Sequence, residues 1–582
     1  MVDNQVVIIG GGPAGLAAGY ELISRKICPL VLERDGMVGG IARTESYRGF
    51  YFDIGGHRFF SKDEAISNLW EQMLGEDFHR VDRLSRIYYK GKYFNYPLRP
   101  VNALFNLGPV ESLRILTSYC KVRLFPTAEE NSFEEWVTNR FGERLYRTFF
   151  KTYTEKVWGI PCSEIRADWA AQRIKGLSLL VAVSNALFGG QQAKSLIERF
   201  SYPKFGPGMM WNSFMDEILA GNGEVRLNAE VSAIRHENRR ITAVEYNDSG
   251  AVCRTIPEHC ISSVPIPRLV KLFDPPPPAE VLDAADRLSY RAFIIVILIL
   301  DTPELFPDQW LYIHSPDVQV GRIQNFKNWS SFMVPDQSKT SIGMEYFCNE
   351  NDQTWGMQDH ELIAMASREM GKLGLGRGIR VIDSYVVRQP NAYPVYDSAY
   401  KESLRTVRAY LEHFSNLQTI GRSGMHRYNN MDHSMQTGIL AAKNCCGENY
   451  DLWEVNEDRS YLEEDKRVPE KVLIRVFARM DKLAFATAVG TICGLLVLSA
   501  TLWIISRGGD VLNSHLRLLA QYFIGYTVTV KGGFIAFGYS FFWGFLIGWL
   551  FAYLRNLFLA IYIYNVKRKI ELLSLKDFFD NF

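Results

Sequence analysis

The segment 51–61, Tyr-Phe-Asp-Ile-Gly-Gly-His-Arg-Phe-Phe-Ser, places two adjacent glycines and a histidine inside a run of aromatic residues. Aromatic flanks are typical of a buried strand, and such a strand has little use for Gly55, Gly56 or His57. Bare backbone at such a place indicates that another group comes close to the chain. A histidine beside that group can donate or accept a proton near neutral pH. The pattern predicts a loop that contacts a bound molecule.

A phosphate-binding turn is predicted at the start of the chain. The apolar strand 6–9 is followed by three glycines in the spacing G-x-G-x-x-G: Gly10, Gly12 and Gly15. The first allows a tight turn, the second lets the backbone approach a pyrophosphate, and the third lets the following helix pack on the strand. A second strand, 29–32, ends at Glu33, where an acid binds a ribose hydroxyl. This order of elements predicts a Rossmann-type dinucleotide-binding domain.

The residues after Glu33 decide which dinucleotide is expected. Gly39, Gly40 and Arg43 complete the pattern E-x5-G-G-x-x-R. This pattern resembles that of the FAD-dependent superfamily that includes amine oxidases, protoporphyrinogen oxidases and UDP-galactopyranose mutases. The resemblance implies that FAD is the cofactor and that these glycines and the arginine pass close to its pyrophosphate. A solvated surface charge is the alternative for Arg43.

In the same superfamily the segment after this turn runs beside the flavin ring. The stretch F-D-x-G-G-H resembles the histidine loop of the mutases. The resemblance implies that the flavin lies against Gly55 and Gly56, and that His57 is a candidate catalytic residue near the reactive edge of the ring. A core histidine bonded to a carbonyl is the alternative.

Five further segments resemble parts of the mutases, in the mutase order: 94–97, 149–161, 320–326, 391–397 and 419–432. The resemblance implies substrate contacts from five side chains: Asn95, Trp158, Arg322, Tyr393 and Tyr428. It also implies further FAD contacts, with phosphates at Gly421 and Arg422 and the ring and ribityl chain at Met431 and Asp432. Core packing is the alternative for the aromatic residues, and a surface salt bridge is the alternative for Arg322.

Arg322 and Tyr393 are expected to hold the diphosphate of the substrate, and Arg322 is the second candidate catalytic residue. A sugar diphosphate is an anion that a bidentate arginine and tyrosine hydroxyls suit well. A second diphosphate arginine lies on a mobile loop in the mutases. Arg166 and Arg173 are both possible here, and Arg173 is the candidate. The apolar stretch 177–188 nearby predicts either a buried helix or a lip that touches a membrane or a lipid-linked substrate.

Composition excludes some functions. The net charge of +1 argues against a polyanion-binding protein, so no nucleic-acid partner is expected. The nine cysteines show no C-x-x-C and no metal-like spacing with histidine. This usage suits a reducing compartment, and we expect no metal site. The N-terminus has no basic segment before its apolar residues, so it predicts the start of a fold rather than a signal peptide.

The last hundred residues predict a membrane tail. Residues 483–506 and 533–554 carry no charge, and each stretch is long enough to cross about 30 Å of hydrocarbon. Two buried core helices are the alternative. Basic residues flank the outer ends of the pair: Lys471, Arg475, Arg479 and Lys482 before it, and Arg555, Lys567, Arg568 and Lys569 after it. The positive-inside rule therefore predicts a two-span protein of the cell inner membrane with its catalytic part in the cytoplasm.

The expected fold class is α/β, with a Rossmann-type FAD-binding domain like that of glutathione-reductase-type flavoproteins. This domain is expected to be discontinuous, built from 1–60, 205–270 and 405–450. A helical insert at 61–204 and a sheet-rich substrate domain at 275–400 complete the soluble part. An amphipathic connector at 455–482 leads to the membrane tail at 483–582.

Three hypotheses of function remain open. The first is a flavin-dependent sugar mutase that acts through the reduced flavin N5 on a nucleotide sugar or a polyprenyl-diphosphate sugar, with NAD(P)H or a similar reductant. The second is an FAD-dependent oxidoreductase of the amine oxidase, protoporphyrinogen oxidase or desaturase type. The third is a flavin-bound membrane organiser without turnover. The set Arg322, Tyr393 and Tyr428 favours the first, because an apolar substrate would leave these polar groups unpaired.

Overall fold

The computed structural model describes residues 2–96, 100–127, 130–167, 199–397, 399–456, 480–507 and 518–580. The chain divides into two units, one that ends at Asp465 and one that begins at Lys466. Two large sheets organise the described part of the first unit.

The first sheet gathers strands from three distant parts of the chain. Its path runs through Phe273–Asp274, Ala229–Glu237, Arg240–Asp248, Ala251–Ser262, Val2–Ile9, Pro29–Leu32 and Glu224–Arg226. An eighth strand, Leu417–Thr419, also pairs with Ala251–Ser262, in parallel. The N-terminal strand pairs in parallel with a neighbour on each side. The parallel part of the sheet therefore brings the carboxyl ends of several strands to one edge, where α/β folds bind ligands.

The predicted strand, turn, helix and strand are confirmed. Val2–Ile9 pairs with Pro29–Leu32 so that Val6 stands opposite Pro29. The helix Pro13–Ser24 begins immediately after the glycine turn, with its proline in the first turn, where the missing N–H costs nothing. All four residues of Pro29–Leu32 are buried, as expected for a strand covered on both faces.

The second sheet is mostly antiparallel. Its seven strands run in the order Val381–Pro394, Tyr290–Leu300, Thr340–Cys348, Arg322–Asn325, Trp310–Ile313, Ser85–Tyr89 and Lys92–Asn95. The apolar stretch at 292–300, which the sequence predicts as a buried strand, is a central strand of this sheet. Phe293, Ile295 and Ile297 face one core cluster, while the alternate residues face another. The period of two thus creates one face that is available to line a site.

Helices cover both sheets. The described α-helices of the first unit are Pro13–Ser24, Glu64–Leu74, Pro100–Leu107, Pro109–Leu124, Phe133–Phe141, Glu143–Tyr146, Thr152–Trp158, Gly208–Ala220, Ile266–Lys271, Ala279–Asp286, Gln353–Gly356, Asp359–Lys372, Tyr400–Leu411, Gly421–Gly424 and Met431–Cys445. Two small antiparallel pairs add Thr44–Tyr47 with Phe50–Asp53 and Phe78–Asp82 with Arg199–Pro203.

The range 61–204, predicted as a helical insert, also contributes strands. Ser85–Tyr89 and Lys92–Asn95 extend the second sheet, and Ser85–Tyr89 pairs in parallel with Trp310–Ile313. The described part of this range thus shares a sheet with the predicted substrate domain. The domain boundaries themselves remain predictions, and residues 168–198 lie outside the described part.

The second unit contains two long helices, Lys482–Arg507 and Val530–Asp580, which pack against each other. Each carries a G-x-x-x-G spacing: Gly490 and Gly494 in the first, Gly544 and Gly548 in the second. A Cβ on Gly490 would lie 2.7 Å from the carbonyl oxygen of Phe541, so the two backbones approach closely. Among the described residues, Lys482–Ser506 and Val530–Phe558 are long and apolar enough to cross a membrane, by length and composition. Most of the predicted connector, 457–479, lies outside the described part.

The end of the first unit supports the segment 427–429. Arg427 donates to the carbonyl oxygens of Trp453 and Asn456, and the Asn456 amide donates 3.2 Å to the Tyr428 carbonyl oxygen. We expect a chain that ends at Asp465 to be soluble without detergent and to unfold cooperatively. A chain that ends at Gly447 lacks both carbonyl acceptors of Arg427. Its free energy of unfolding should therefore fall by about 1.5–3 kcal/mol, the range for a hydrogen bond to a charged group.

Circular dichroism melts of the two truncated chains test this expectation. Equal melting temperatures would contradict the supporting role of residues 448–456. Aggregation of the longer chain without detergent would show that the first unit does not fold without the second.

Candidate functional site

The glycine turn leaves a bare approach to the N-terminus of the helix Pro13–Ser24. Gly10 has φ +106°, a conformation that favours glycine, and its N–H donates 2.8 Å to the Leu32 carbonyl oxygen. A Cβ on Gly15 would overlap the carbonyl oxygen of Gly10, so helix and strand are in direct contact here. A Cβ on Gly12 would meet only the Cα of Gly40, at 3.9 Å. The space beside Gly12 is therefore open at the place where helix N–H groups favour an anion.

Glu33 is fixed at the end of the second strand. One carboxylate oxygen accepts 2.7 Å from the Gly11 N–H, and the other accepts 2.9 Å from the Asp35 N–H. Burial raises the pKa of the Glu33 carboxyl above its usual value, although the two backbone donors oppose this shift. A carboxylate with one backbone donor on each oxygen keeps lone pairs for further donors, as a ribose would supply.

The second glycine turn faces the first. The Gly39 N–H donates 2.8 Å to the Gly11 carbonyl oxygen, which holds Gly40 opposite Gly12. Arg43 is largely buried rather than solvated at the surface. Its guanidinium bonds the Glu45 carboxylate at 2.7 Å and the Gly40 carbonyl oxygen at 3.0 Å. The charge of Arg43 is thus anchored beside the turn.

The segment 419–432 completes this end of the site. Gly421 follows the strand Leu417–Thr419, and a Cβ on it would lie 3.0 Å from the Cβ of Ala14 in the first helix. The Arg422 guanidinium donates 2.8 Å to the Asn429 carbonyl oxygen. Met431 and Asp432 form the first turn of the helix Met431–Cys445, with Asp432 buried. The structure therefore brings this segment to the predicted phosphate turn.

The loop with Gly55, Gly56 and His57 approaches the second sheet. Gly55 has φ +96° and a Cβ on it would lie 3.7 Å from the ring of Phe293, on the second sheet. His57 is partly exposed, yet its Nδ1 is buried and has no hydrogen-bond partner of ordinary geometry among the described residues. Burial, followed by the positive charges of Arg422 and Arg322, lowers the pKa of His57 to about 3. The imidazole is therefore neutral at physiological pH.

Arg322 belongs to a buried ion pair. It stands opposite Glu345 in the strand register, and its guanidinium contacts the Glu345 carboxylate at 2.5 Å and 2.7 Å. Glu345 is fully buried, and Gln324 donates 2.6 Å to its other oxygen. Arg322 also donates 3.0 Å to the Tyr393 hydroxyl oxygen and lies over the ring of Phe347. The hydroxyl proton of Tyr393 is left to donate to a further acceptor.

Aromatic side chains join this pair to Arg422. The Tyr393 and Tyr428 rings stack at 5.8 Å, and Trp158 lies 6.5 Å from each of them. The Arg422 guanidinium lies 4.6 Å from the centre of the Tyr428 ring. The structure thus brings predicted residues from four separate segments into one cluster, and the charges of its two arginines act on His57.

Two other predicted substrate residues stand differently. Asn95 ends the strand Lys92–Asn95, and its backbone N–H donates 2.9 Å to the Asn102 side chain. Its neighbour Tyr96 packs on Tyr312, 4.7 Å between ring centres. Arg173 lies outside the described residues. Arg166, the alternative, is described and pairs with Ser132 through an isolated bridge.

Sequence reasoning missed three groups. Glu345 neutralises Arg322, and only the pairing of the two strands reveals it. Tyr153 is half-buried and stacks on His314, 4.8 Å between ring centres, and desolvation raises its pKa well above its usual value. Asp53, two residues before the glycines, is buried and accepts from Tyr202 at 2.5 Å and Thr44 at 3.0 Å. The acid of F-D-x-G-G-H was a signal that could have identified Asp53.

The features of the first sheet fit a dinucleotide: open backbone at Gly12 and Gly40, a helix N-terminus behind them, and a buried acid at Glu33. The orphaned Nδ1 of His57 lies in the loop that leads from this region toward Arg322. Together they define a two-sheet flavoprotein fold with a dinucleotide region beside a polar and aromatic cluster.

The comparisons with known proteins agree. Residues 13–446 match the family of flavin containing amine oxidoreductases. The chain belongs to this family, it is a flavoenzyme, and its cofactor is FAD.

Two curated relatives share part of the sequence. A protein of Klebsiella pneumoniae named as a probable UDP-galactopyranose mutase is 26% identical over 177 residues, 29% of this chain and 44% of the relative. The dTDP-fucopyranose mutase of Escherichia coli is 26% identical over 172 residues, 28% of this chain and 44% of the relative. The matched stretch therefore spans less than half the length of either relative.

Solved structures show the same fold. A reduced UDP-galactopyranose mutase superposes with a TM-score of 0.68 at 21% identity, over 78% of this chain and 98% of that one. A putrescine oxidase superposes with a TM-score of 0.54 at 16% identity, over 77% of this chain and 100% of that one. The predicted fold class is confirmed for the part outside the two long C-terminal helices.

The same substitution, glycine to valine, should have different outcomes at Gly12 and at Gly15. Gly12→Val places its side chain in open space, so we expect a folded protein that purifies without FAD. Gly15→Val forces the helix away from the carbonyl oxygen of Gly10, so we expect loss of soluble folded protein. Flavin absorbance per protein and circular dichroism separate these outcomes. A fully flavinated Gly12→Val protein would contradict the assignment of this turn to the cofactor.

Asp53 predicts a pH dependence of stability. Burial raises its pKa from 3.8 to about 7, against the opposing hydrogen bonds from Tyr202 and Thr44. Between about pH 4 and pH 7 the folded state holds a proton that the unfolded state releases. This group therefore lowers the free energy of unfolding as pH rises, by at most roughly 1.4 kcal/mol per pH unit. Asp53→Asn should remove this contribution.

Thermal melts of wild type and Asp53→Asn from pH 4.5 to 7.5 provide the measurement. His57, whose pKa is lowered, contributes with the opposite sign in both proteins and cancels in the comparison. Tyr202→Phe removes a bond that lowers the Asp53 pKa, so it should move the window to higher pH. If the melting temperatures of all three proteins change with pH in parallel, the pKa of Asp53 is not raised.

Proposed function

We propose that the chain is a membrane-anchored flavin-dependent mutase that acts on a sugar carried by a diphosphate. The observation that carries the proposal is the convergence of Arg322, Tyr393, Tyr428 and Arg422 beside the His57 loop. The Arg322 guanidinium and the two phenols form an anion-binding set next to Arg422, the proposed contact of the FAD phosphates, whereas an apolar substrate would leave such groups poorly matched. The curated mutases and the mutase structure support the same class.

In this proposal Tyr393 and Arg322 hold the diphosphate together. Burial raises the pKa of Tyr393, so its hydroxyl remains a donor at neutral pH. Arg322 cannot give up its charge to Glu345 by deprotonation, because a guanidinium stays protonated in proteins. Glu345 fixes the direction of the Arg322 guanidinium through two contacts. Tyr428 and Trp158 are proposed to pack on the rest of the substrate. Asn95 and Arg173 remain proposed substrate contacts.

His57 is proposed to contact the flavin as a neutral hydrogen-bonding group. Its pKa, about 3, excludes an imidazolium at neutral pH while the two arginines are present. The reduced flavin supplies N5 as the reacting atom when it is bound. The chain supplies the neutral histidine at that edge and the cationic groups that receive the departing diphosphate. The other role of the chain is to position the sugar, as expected for a cofactor-dependent reaction.

The proposal extends to location and partners. The two candidate spans would hold the protein in the cell inner membrane, and the basic residues outside them would keep the catalytic unit cytoplasmic. A nucleotide sugar and a polyprenyl-diphosphate sugar share the diphosphate that the cluster would bind. NAD(P)H is the proposed reductant of the flavin.

An FAD-dependent oxidoreductase is the second candidate. Its specific support is Glu345, which already neutralises Arg322 and so reduces the net positive charge offered to an anion. The family match includes amine oxidoreductases, which agrees with this alternative. This enzyme would use the aromatic residues to bind an apolar or amine substrate and would have no affinity for a diphosphate.

Substitutions at the cluster test the diphosphate role. Arg322→Ala would leave Glu345 buried without its cation, which costs stability as well as binding. Arg322→Lys keeps a cation for Glu345 but removes the planar fork, so we expect UDP affinity to fall roughly tenfold. Tyr393→Phe removes one hydroxyl and should weaken UDP about five- to tenfold, or roughly 1 kcal/mol. Both variants should retain FAD.

The measurement is calorimetric titration of UDP into the full-length, dithionite-reduced protein. Tyr385→Phe is the matched control, because it removes a hydroxyl from the same strand at a residue that stacks on Tyr47. Farnesyl diphosphate is titrated as a lipid-linked analogue. Binding of either compound that Tyr393→Phe weakens and Tyr385→Phe does not supports the mutase. If the wild type binds neither compound, the proposal fails in favour of the oxidoreductase.

A further inference from the structure

Two consecutive helices of the first unit expose a group of large apolar side chains. The helices are Pro100–Leu107 and Pro109–Leu124. The exposed fractions are 83% for Phe105, 65% for Val110, 63% for Leu113, 40% for Leu116, 73% for Leu124 and 77% for Phe125. We call this group the 105–125 surface. Single exposed apolar residues are ordinary, but a contiguous group of this size marks a binding surface.

The longer helix is apolar on two opposite sides. Ile115 and Tyr119 are buried and attach it to the protein core. Val110, Leu113 and Leu124 recur at helical spacing on the opposite side, which is exposed. A helix that only covers a core needs one apolar stripe and carries polar residues elsewhere. The second stripe is therefore exposed in the part of the chain that the structure describes, and packing on the core does not account for it.

Cations border this second stripe on both sides. In helical projection, Arg114 and Lys121 lie along one edge and Arg123 lies along the other. The helix Pro109–Leu124 carries three cations against one acid, Glu111, whose carboxylate contacts both Arg144 and Arg114. Long basic side chains beside an apolar stripe are the arrangement of helices that lie in a membrane interface, with the cations reaching lipid headgroups.

We propose that the 105–125 surface docks on an anionic lipid bilayer, with its apolar side chains among the upper acyl chains and its cations at the phosphates. This contact is additional to the two candidate spans and lies on the catalytic unit. A second copy of the chain fits less well, because a symmetric contact through this surface would bring two sets of the cations Arg114, Lys121 and Arg123 together. The inference does not depend on which substrate the enzyme takes.

A native thiol permits a direct test. Cys120 is exposed on the second stripe, and the other exposed cysteines are Cys28 and Cys446. In the test protein, Cys28→Ser and Cys446→Ser leave Cys120 as the exposed thiol. In the control protein, Cys120→Ser and Cys446→Ser leave Cys28. Both carry Cys493→Ala, which removes the thiol in the first candidate span.

The full-length proteins are labelled with bimane and placed in nanodiscs that contain phosphatidylglycerol and a lipid with a nitroxide near its headgroup. We expect the nitroxide to quench at least half of the Cys120 label and little of the Cys28 label. Equal quenching of the two labels, or none at Cys120, would overturn the proposal. Crosslinking of Cys120 between two copies in one disc, without lipid quenching, would assign the surface to a dimer and also overturn it.

Charge substitutions separate apolar docking from chance proximity. Leu113→Glu with Leu124→Glu should reduce the quenching of the Cys120 label at least fivefold while FAD content stays unchanged. Leu219→Glu with Val252→Glu, at exposed apolar residues elsewhere on the unit, should leave it intact. Full quenching in the first double variant with FAD retained would overturn the proposal. Unchanged FAD also separates this test from the proposed mutase function, which the titrations address.

Discussion

The ion pair between Arg322 and Glu345 constrains much of the second sheet. Glu345 has no exposed surface, so its charge requires a cation in contact, and Arg322 provides one from the neighbouring strand. Because the two residues are register partners, a shift of one residue in either strand would separate them and bury an unpaired charge. The pair therefore fixes the register of Arg322–Asn325 against Thr340–Cys348. That register in turn places the Arg322 guanidinium within hydrogen-bond distance of the Tyr393 hydroxyl.

The same ion pair affects how the proposed diphosphate would bind. The Arg322 guanidinium is not a surplus charge, since Glu345 and Tyr393 already occupy part of it. In the proposed function, a diphosphate beside it would gain from hydrogen-bond geometry with Arg322 and Tyr393 more than from net charge. The tyrosine hydroxyls would then contribute as much to binding as the arginine does. A lysine in place of Arg322 would not be equivalent, because it lacks the planar fork of hydrogen-bond donors.

Local backbone features of this structure could be predicted from the sequence, whereas contacts between distant residues could not. The strand, glycine turn and helix at 6–24 depend on local rules of backbone space, so Gly10, Gly12 and Gly15 could be interpreted without the fold. The central strand at 292–300 was evident from its unbroken apolar run. Glu345 was not evident, because a buried acid in an apolar strand is defined by its partner, which lies 23 residues away along the chain. The strands Ser85–Tyr89 and Lys92–Asn95 were missed because they join a sheet whose other members lie beyond residue 289.

The neutrality of His57 follows from the groups around it. A partly exposed histidine alone would titrate near pH 6.5, but burial and two guanidinium groups move the pKa to about 3. Arg322, which is proposed to bind the diphosphate, and Arg422, which is proposed to contact the FAD phosphates, therefore add to the effect of burial in keeping the imidazole uncharged. An anion bound between them would cancel part of their field and raise the pKa of His57 toward its usual value. In the proposed function, the charge of the substrate and the protonation of His57 would thus be coupled through Arg322 and Arg422, with no direct contact needed between the histidine and the diphosphate.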